Sequence, residues 1–339
     1  MSRARDIADL AGSADAGGLT GRNLIINGAM QISQRGTSFT PNTGVNYSLD
    51  RYATLEVTDG DITISQDTSV VPTGFQYSLK ALVGTADASL AASQRMILLT
   101  RIEGYDVAHL ELGTANAKQF TLSFYVRSSL TGTFGGAFQN SDSSRAYPFT
   151  YTINSADTWE RKTITITGDT SGTWNTTNGT GLQVCWGLGV GSTHSGTAGA
   201  WASGDFNSAT GGTNLMGTSS ATWYLTGVQV EVGETATDFE HRSYGEELAL
   251  CQRYYEGYGI DYYVGFAGGQ PNTGWALRPH IQFNTPKRAA PSLSYSNQSP
   301  NWSTTTINSS IGHFTVEVGT GTATTDPRPS FRWVADAEL

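Results

Sequence analysis

From Asn23 onward, short apolar and polar runs follow one another and are separated by Gly, Asn, Asp, Ser and Pro. In the run TLSFYVRSS, Leu122, Phe124 and Val126 share one face, and the residues between them occupy the other. A period of two predicts a strand with one buried face and one face in water. The clearest predicted strands alternate in this way or are continuously apolar: 62–66, 77–83, 95–102, 120–127, 149–153, 161–167, 182–188 and 222–232.

Strands of this number and length predict an all-β protein, namely a jelly-roll β-sandwich over residues 21–245. Within the last of these strands, Gly227 is expected to permit a bulge or a bend. The stretch 189–220 has almost no periodicity, and a loop of this length in a compact domain is normally functional or packed by its own side chains. The candidates for such packing are Trp201, Phe206, Leu215 and Met216.

Two segments depart from the β pattern. Residues 1–20 contain a short predicted helix, within 2–10, and then a Gly-rich linker, which is typical of an arm that docks in front of a domain or of a disordered tail. The run YGEELALCQRYY at 244–255 combines helix formers and predicts a second short helix. We therefore expect a boundary near residue 245 and a smaller β-rich domain over 246–339.

Composition narrows the range of partners. The chain carries 20 basic and 29 acidic residues, a net charge of −9, and no Lys/Arg-rich run, so nucleic-acid binding is not expected. A surface rich in Gly, Ser, Thr and Asn suits hydroxyl-rich partners such as glycans better than phosphate backbones. The N-terminus lacks the apolar stretch of a signal peptide, and no run of about 20 apolar residues is present. We expect synthesis in a cytoplasm and no insertion into a membrane.

The residue types of catalytic and metal sites do not form a recognisable pattern. The five histidines are far apart and never at the spacing of a metal clamp, and Cys185 and Cys251 lack a partner cysteine at ligand spacing. We expect buried free thiols, no metal and no cofactor. Glu103 with Asp106, or Glu231 with Glu234, are conceivable glycosidase pairs, but carboxylates decorate the turns of any acidic β protein. We do not expect an enzyme.

Three stretches carry a resemblance to a known family. They are NLIINGAMQISQRGTS at Asn23–Ser38 with YSLDRY at Tyr47–Tyr52, GAWASG at Gly199–Gly204, and the long run from Leu225 to Tyr255. The chain resembles tail-fibre-like structural proteins of bacteriophages, especially those of marine and cyanobacterial phages. Tyr52 stands where Trp is expected in many relatives, which changes the aromatic volume without removing its role.

The resemblance implies a carbohydrate-binding-module-like jelly roll mounted on a virion, on the tail or the capsid surface, usually as a homotrimer. It implies a tail-fibre or appendage subunit that serves assembly and host attachment. The N-terminal arm would contact other virion proteins, and the candidates for these contacts are Arg3, Arg5, Ile7 and Leu10. The alternatives are a capsid decoration or head-fibre protein that binds no receptor and, less favoured for so short a chain without a β-helix repeat, a polysaccharide-degrading tailspike.

The opening motif also has a reading from its residues alone. Residues 24–26 predict a buried strand, and Asn27-Gly28 predicts the turn that follows it. Asp50 and Arg51 beside Tyr47 and Tyr52 predict a charge-assisted pair under aromatic cover, or solvated strand ends.

Exposed loop aromatics are the best candidates for contact with a sugar, because sugars stack their C–H faces on aromatic rings while Asn and Asp side chains bind the hydroxyls. Trp174 and Trp201 are the first candidates, with Asn175 and Asp205 as their polar neighbours. The alternative, which we favour from the sequence, is that both tryptophans plug one end of the sandwich.

Overall fold

A computed structural model describes residues 21–263, 276–297, 302–320 and 330–339. The predicted arm and its docking candidates Arg3, Arg5, Ile7 and Leu10 lie outside the described residues. The chain divides into two compact units, Met1–Ser243 and Tyr244–Leu339. Each unit is described by itself below.

The first unit is a sandwich of two antiparallel sheets. Its strands are β1 Ser38–Phe39, β2 Gly44–Tyr47, β3 Tyr52–Val57, β4 Ile62–Asp67, β5 Ser78–Val83, β6 Arg95–Glu103, β7 Phe120–Ser128, β8 Gly132–Gln139, β9 Arg145–Ile153, β10 Glu160–Ile166, β11 Thr180–Val190, β12 Ser195–Gly196, β13 Ala202–Ser203, β14 Ser208–Ala209 and β15 Thr222–Val232. Helix α1 spans Gly104–Val107, and single 3-10 turns span Ala108–Leu110, Ser192–His194 and Leu215–Gly217.

One sheet has six strands in the order β1-β4-β5-β15-β7-β10, and the other has seven in the order β13-β9-β8-β11-β6-β3-β2. Strands β12 and β14 form a short parallel pair. Between the two large sheets lies one apolar core, in which Phe124 of β7 meets Tyr151 of β9 and Trp186 of β11 edge to face. The predicted all-β jelly-roll class is confirmed.

All eight strands predicted from the pattern are present. Leu122, Phe124 and Val126 are fully buried, as the alternation predicted, but the opposite face is not in water as expected, because Thr121 and Ser123 are buried too. The expected bulge lies in β15, where the pairing with β7 shifts between Thr226 and Gln229. At Gly227 φ is +61°, and a Cβ there would lie 2.7 Å from Phe75 and 2.8 Å from Tyr125, so the bulge requires glycine.

The strand predicted at residues 24–26 is wrong, although Asn27 does lie in the predicted turn. The segment runs beside β15, where the Leu24 N–H donates to the carbonyl oxygen of Val230 at 2.9 Å, but the side chain of Asn23 replaces the main chain at two other hydrogen-bonding groups of β15. Its Nδ2 donates to the carbonyl oxygen of Val228 at 3.0 Å, and its Oδ1 accepts from the amide of Val230 at 3.2 Å. The opening motif therefore lies along β15 and is held there by the side chain of Asn23.

Asn27 and Asp50 fix the rest of this motif. Asn27 is fully buried with φ +59°, and its amide accepts from the Ile32 N–H and donates to the carbonyl oxygens of Ile32 and Asp50. The carboxylate of Asp50 accepts from the main-chain and side-chain nitrogens of Gln34, each at 2.6 Å. Asp50 and Arg51 are both buried, so the reading as solvated strand ends is wrong.

The long stretch 189–220 is a packed layer, as predicted. Leu215 and Met216 are fully buried in the core, and Phe206 packs against Gly196 and Gly204. The segment around Ser208 lies on the outer face of the seven-stranded sheet, where a Cβ on Gly187 would be 2.8 Å from the Ser208 Oγ. Strand β11 is consequently buried on both faces.

The second unit begins with the predicted short helix, α2, which spans Tyr244–Gln252. Its strands are β16 Tyr255–Tyr263, β17 Ala276–Leu277, β18 His280–Gln282, β19 Ser292–Asn297, β20 Trp302–Ser309, β21 His313–Thr320 and β22 Ser330–Asp336. Strand β22 pairs with β16 and β19, and β21 pairs with β17, β18 and β20. A separate apolar core includes Phe314, Phe331 and Trp333.

Candidate glycan-binding surface

The two tryptophans chosen from the sequence contact each other. The ring centroids of Trp174 and Trp201 are 5.3 Å apart, and the planes meet at 87°. Both side chains are half-buried, and both indole N–H groups donate to main-chain oxygens, Trp174 to Ser171 at 3.0 Å and Trp201 to Thr167 at 2.6 Å. The polar atoms of this tryptophan pair are therefore engaged within the protein, and the ring faces are what it can offer a ligand.

Trp201 also joins the two sheets. Its ring packs edge-on against Tyr147 of β9 at 5.4 Å, whereas its N–H reaches Thr167, the residue after β10. Strand β9 belongs to the seven-stranded sheet, and β10 is an edge strand of the six-stranded sheet. These contacts lie along the β9–β10 side of the sandwich, and the reading of Trp201 as a plug of one end stays a prediction.

An ion pair holds the loop that carries Trp174. Arg145, at the start of β9, makes two parallel hydrogen bonds to Asp169, with Nε–Oδ2 and Nη2–Oδ1 distances of 2.7 Å each. Hydrogen bonding to the Asp169 carboxylate raises the pKa of Arg145. Asp169 is only 2% exposed, so this bidentate contact is shielded from water and fixes the position of the loop.

Asn175 follows Trp174 but serves its own turn. Its Oδ1 accepts from the main-chain N–H of Thr177 at 2.7 Å and from the Thr177 hydroxyl at 3.0 Å. The loop backbone here lies against Gly104, where a Cβ would be 2.6 Å from the carbonyl oxygen of Asn175. The Oδ1 of Asn175 thus stabilises the turn of its own loop, and its Nδ2 lies close to Gly179.

Asp205 lies on the outer face of the seven-stranded sheet, in a different set of contacts. It accepts from Arg95 Nη1 at 2.6 Å and from Gln139 Nε2 at 2.9 Å. Burial alone would raise the pKa of Asp205, but the hydrogen bonds from Arg95 and Gln139 hold it below its ordinary value. His194 and Asn207 also contact this arginine, so Asp205 belongs to a charge-assisted network.

The network continues across the sheet as a polar row, which we define as Tyr47, Arg101, Gln183, Gln139 and Asp205. Gln183 donates to Gln139 at 2.8 Å and accepts from Arg101 Nε at 2.9 Å, and Arg101 Nη1 donates to the Tyr47 hydroxyl at 3.0 Å. The Arg35 guanidinium lies 5.3 Å from the centroid of the Tyr47 ring. The glutamines in the middle are buried, whereas the two ends of the row reach solvent.

Sequence reasoning found the tryptophan pair but missed four members of the polar row. The pair members are separated by 27 positions. The pairing of β13 with β9 at Ala202 and Ala146 places Trp201, and the Arg145–Asp169 ion pair places the loop with Trp174. Each strand member of the row stands at an outward position of an otherwise apolar strand, such as Gln183 in LQVCW. That isolated polar position is the available signal, but it does not reveal the neighbouring strand.

One carboxylate of each candidate catalytic pair, Glu231 and Glu103, has a structural position. Glu231 accepts from Gln229 Nε2 at 2.9 Å and from the amide and hydroxyl of Thr237 at 2.9 and 2.7 Å. Glu103 is buried at the end of β6. Glu231 therefore anchors the loop after β15.

The cysteines match their prediction. Cys185 and Cys251 are free and buried, and burial raises the pKa of the Cys185 thiol to about 12. Within the described residues, no group of three or more His, Cys, Asp or Glu side chains could hold a metal ion, and no helix has the length and apolar character to cross a membrane.

No family model and no curated protein match this sequence. Several solved structures are similar in part. The enzymatically active domain of tailspike protein 4 of bacteriophage CBA120 is 12% identical with a TM-score of 0.33, over 62% of this chain and 21% of that one. A family 11 carbohydrate-binding module from Clostridium thermocellum, in complex with a β-1,3-1,4-mixed-linked tetrasaccharide, is 9% identical with a TM-score of 0.30. The match covers 60% of this chain and 98% of that one.

TmCBM61 in complex with β-1,4-galactotriose is 9% identical with a TM-score of 0.29, over 63% of this chain and 100% of that one. This chain thus spans about a fifth of the length of the tailspike structure and essentially the whole of each module. The similar solved structures include carbohydrate-binding-module-like β-sandwiches and one phage tailspike domain.

Proposed function

We propose that this protein is a structural subunit of a bacteriophage tail fibre or other virion appendage, and that its first unit binds a glycan of the host surface. The observation that carries the glycan proposal is the tryptophan pair, whose polar atoms are engaged internally while the rings remain half-exposed. The polar row supplies hydroxyl-binding groups, Arg101 and Asp205, on the same unit. Aromatic faces combined with a few fixed polar groups are typical of sugar sites.

The contacts of the candidate groups support binding rather than catalysis. Asp205 is held as an acceptor between Arg95 and Gln139, and Glu231 is occupied by Thr237 and Gln229. A glycosidase needs one carboxylic acid that can donate a proton, and hydrogen bonds that lower the pKa of Asp205 oppose this role. We therefore propose a binding module without hydrolytic activity, which incubation with host capsule or lipopolysaccharide tests through the release of reducing ends.

The glycan proposal is tested by binding of the full chain to arrays of host-surface polysaccharides. Trp174→Ala should weaken binding by about tenfold, equivalent to ~1.4 kcal/mol, because it removes one stacking face while Trp201 retains its bridge between the sheets. Trp159→Ala is the matched control, because Trp159 is also half-buried but packs on Tyr224 of the six-stranded sheet. Equal binding by all three proteins would contradict the assignment of this surface.

The virion proposal requires a separate measurement. Mass spectrometry of purified particles should detect the protein, and light scattering of the purified chain should give a homotrimer. Labelled antibody on intact particles then distinguishes the tail from the capsid surface, and with it an attachment role from that of a capsid decoration or head-fibre protein. A monomer that is also missing from particles would overturn the proposal.

A further inference from the structure

Two histidines of the second unit, 33 positions apart in the sequence, meet on one face of a sheet. Antiparallel pairing of β18 with β21 places His280 opposite Thr315 and Gln282 opposite His313. His280 and His313 are thus diagonal neighbours, and their ring centroids are 4.2 Å apart at an interplanar angle of 42°. Phe314 and Ile281, between them, point into the apolar core. The imidazoles therefore project from the outer face of the sheet.

The Ser310 hydroxyl holds one ring nitrogen of His313. Nδ1 lies 3.1 Å from the hydroxyl oxygen, which also lies 3.1 Å from the carbonyl oxygen of His313 and accepts from the main-chain N–H groups of Gly312 and His313. This contact leaves Nε2 as the ring nitrogen available to a metal ion, in the tautomer with the proton at Nδ1. Within the described part of the chain, this Nε2 has no hydrogen-bond partner.

His280 is held by different groups, which favour the tautomer with the proton at Nδ1. The amide nitrogen of Gln282 lies 2.8 Å from His280 Nε2, and because an amide nitrogen is only a donor, Nε2 must be the acceptor. Nδ1 then carries the proton and donates to the Thr315 hydroxyl at 3.3 Å. Both rings are therefore oriented by a hydroxyl at Nδ1, and His280 presents a lone pair at Nε2.

We propose that His280 and His313 form a surface site for one late first-row divalent transition metal, with Cu²⁺, Ni²⁺ or Zn²⁺ bound through the two Nε2 atoms. Neutral imidazoles suit these ions, and a hydrogen bond at the other ring nitrogen is the usual support for a histidine ligand. At a metal–nitrogen distance of ~2.1 Å, tetrahedral coordination places the two ring centroids about 5 Å apart. The rings need to open by about 1 Å, which the exposed side chain of His280 permits.

The surrounding charges favour a site with open positions. The nearest carboxylate along β21, Glu317, is engaged by Arg278 with Nη2–Oε2 and Nε–Oε2 distances of 2.8 and 2.9 Å. Gln282 would release His280 Nε2 and, after rotation of its amide, could offer its oxygen to the ion. Water or a group from a bound partner would complete the coordination sphere.

The test uses the full-length, untagged, chelator-treated chain titrated with Cu²⁺, by calorimetry and by electron paramagnetic resonance. We expect one site whose spectrum shows coupling to two imidazole nitrogens. His280→Ala and His313→Ala should each weaken binding at least tenfold, since each removes a ligand, and should leave at most one coupled nitrogen. His109→Ala, an exposed histidine of the first unit, is the matched control and should bind like the parent.

The Gln282→Ala variant distinguishes two histidines that bind a metal ion from two that only stack on each other. It removes the donor that competes for His280 Nε2, so it should retain the two-nitrogen spectrum, and circular dichroism checks that each variant folds. A parent chain without a saturable site, or His280→Ala and His313→Ala variants that bind Cu²⁺ with unchanged affinity and spectrum, would overturn the proposal.

Discussion

Lys287 places its ammonium 2.5 Å from the carboxylate of Glu256 inside the second unit, and the lysine side chain is fully buried. The ammonium also donates to the carbonyl oxygens of Gln252 and Thr285, at 2.6 and 2.9 Å. Burial lowers the pKa of Lys287, and the hydrogen bond to Glu256 opposes this change. The pair links the residues after α2 to the segment before β19.

Lys287→Met should destabilise the second unit by about 3–5 kcal/mol, because it leaves the Glu256 carboxylate buried without its cation. The double variant Lys287→Met/Glu256→Leu should recover much of this loss. Hydrogen exchange of peptides from 276–297, measured on the full chain, reports the local free energy of opening. Arg278→Met, which breaks the exposed pair with Glu317, is the control and should cost less than about 1 kcal/mol. A single variant as stable as the parent would refute this account of the pair.

Gly187→Ala should destabilise the first unit by about 1–3 kcal/mol, because the added methyl group would meet the Ser208 Oγ and Cβ at 2.8 and 2.9 Å. Ser208→Gly removes both of these atoms, so the double variant should lose less than the sum of the two single changes. Urea unfolding of the four proteins gives this coupling energy. Gly312→Ala, at a glycine whose added Cβ would have no neighbour within 4 Å, is the control. If the losses of stability in the two single variants simply add in the double variant, the predicted contact between Gly187→Ala and Ser208 is absent.

Asn27→Ala should lower the free energy of unfolding by about 3–4 kcal/mol. It leaves the buried main-chain N–H and carbonyl groups of Ile32 without their hydrogen bonds to Asn27, and it forces alanine into the left-handed region at φ +59°. Asn27→Gly removes the same hydrogen bonds without the backbone strain and should cost about 1 kcal/mol less. Thermal and urea unfolding compare the two variants with Asn42→Ala, an exposed asparagine nearby. Identical losses in the alanine and glycine variants would exclude the contribution of backbone strain.

Asp205→Asn should cost about 1–2 kcal/mol at pH 7, because the carboxylate loses its charge-assisted bonds to Arg95 and Gln139. The pKa of Asp205 in the folded protein lies below its ordinary value of 3.8, so its stabilisation is present above about pH 5 and is lost as the pH falls through the folded pKa. The stability difference between parent and variant should therefore shrink as the pH falls from about 5 through the folded pKa, as measured by urea unfolding. Asp157→Asn, at an exposed carboxylate paired with Arg127, is the control. A difference that stays constant with pH would contradict this assignment.

The alternation of apolar residues was sufficient to predict the fold class. Phe124 and its neighbours on β7 follow a period of two because one face meets the core, and this local rule needs no knowledge of the partner strand. Strand β8 escaped prediction because GTFGGAFQ contains three glycines, and glycine ordinarily weakens a strand. Gly135 lies against Ser208, Gly132 against Thr213 and Gly136 against the ring of Phe149, and none of these neighbours is readable from the strand itself.

The candidate site was predictable only in part for the same reason. Trp174 and Trp201 could be selected because aromatic residues in polar loops are conspicuous in a sequence. The contact of Gln183 with Arg101 depends on the register between β11 and β6, and the proximity of His280 and His313 depends on the register between β18 and β21. Registers arise from the packing of whole faces, so they are not readable from any one strand.

The layer of loop over strand β11 restricts how a polymer can approach the sheet. In the first unit the segment around Ser208 occupies the middle of the outer face, and only the ends of the polar row reach solvent. A long polysaccharide cannot lie flat across all seven strands without displacing this loop. If the proposed glycan binds at the exposed ends of the polar row, a short epitope such as a chain terminus or a branch would fit better than the interior of a repeating polymer.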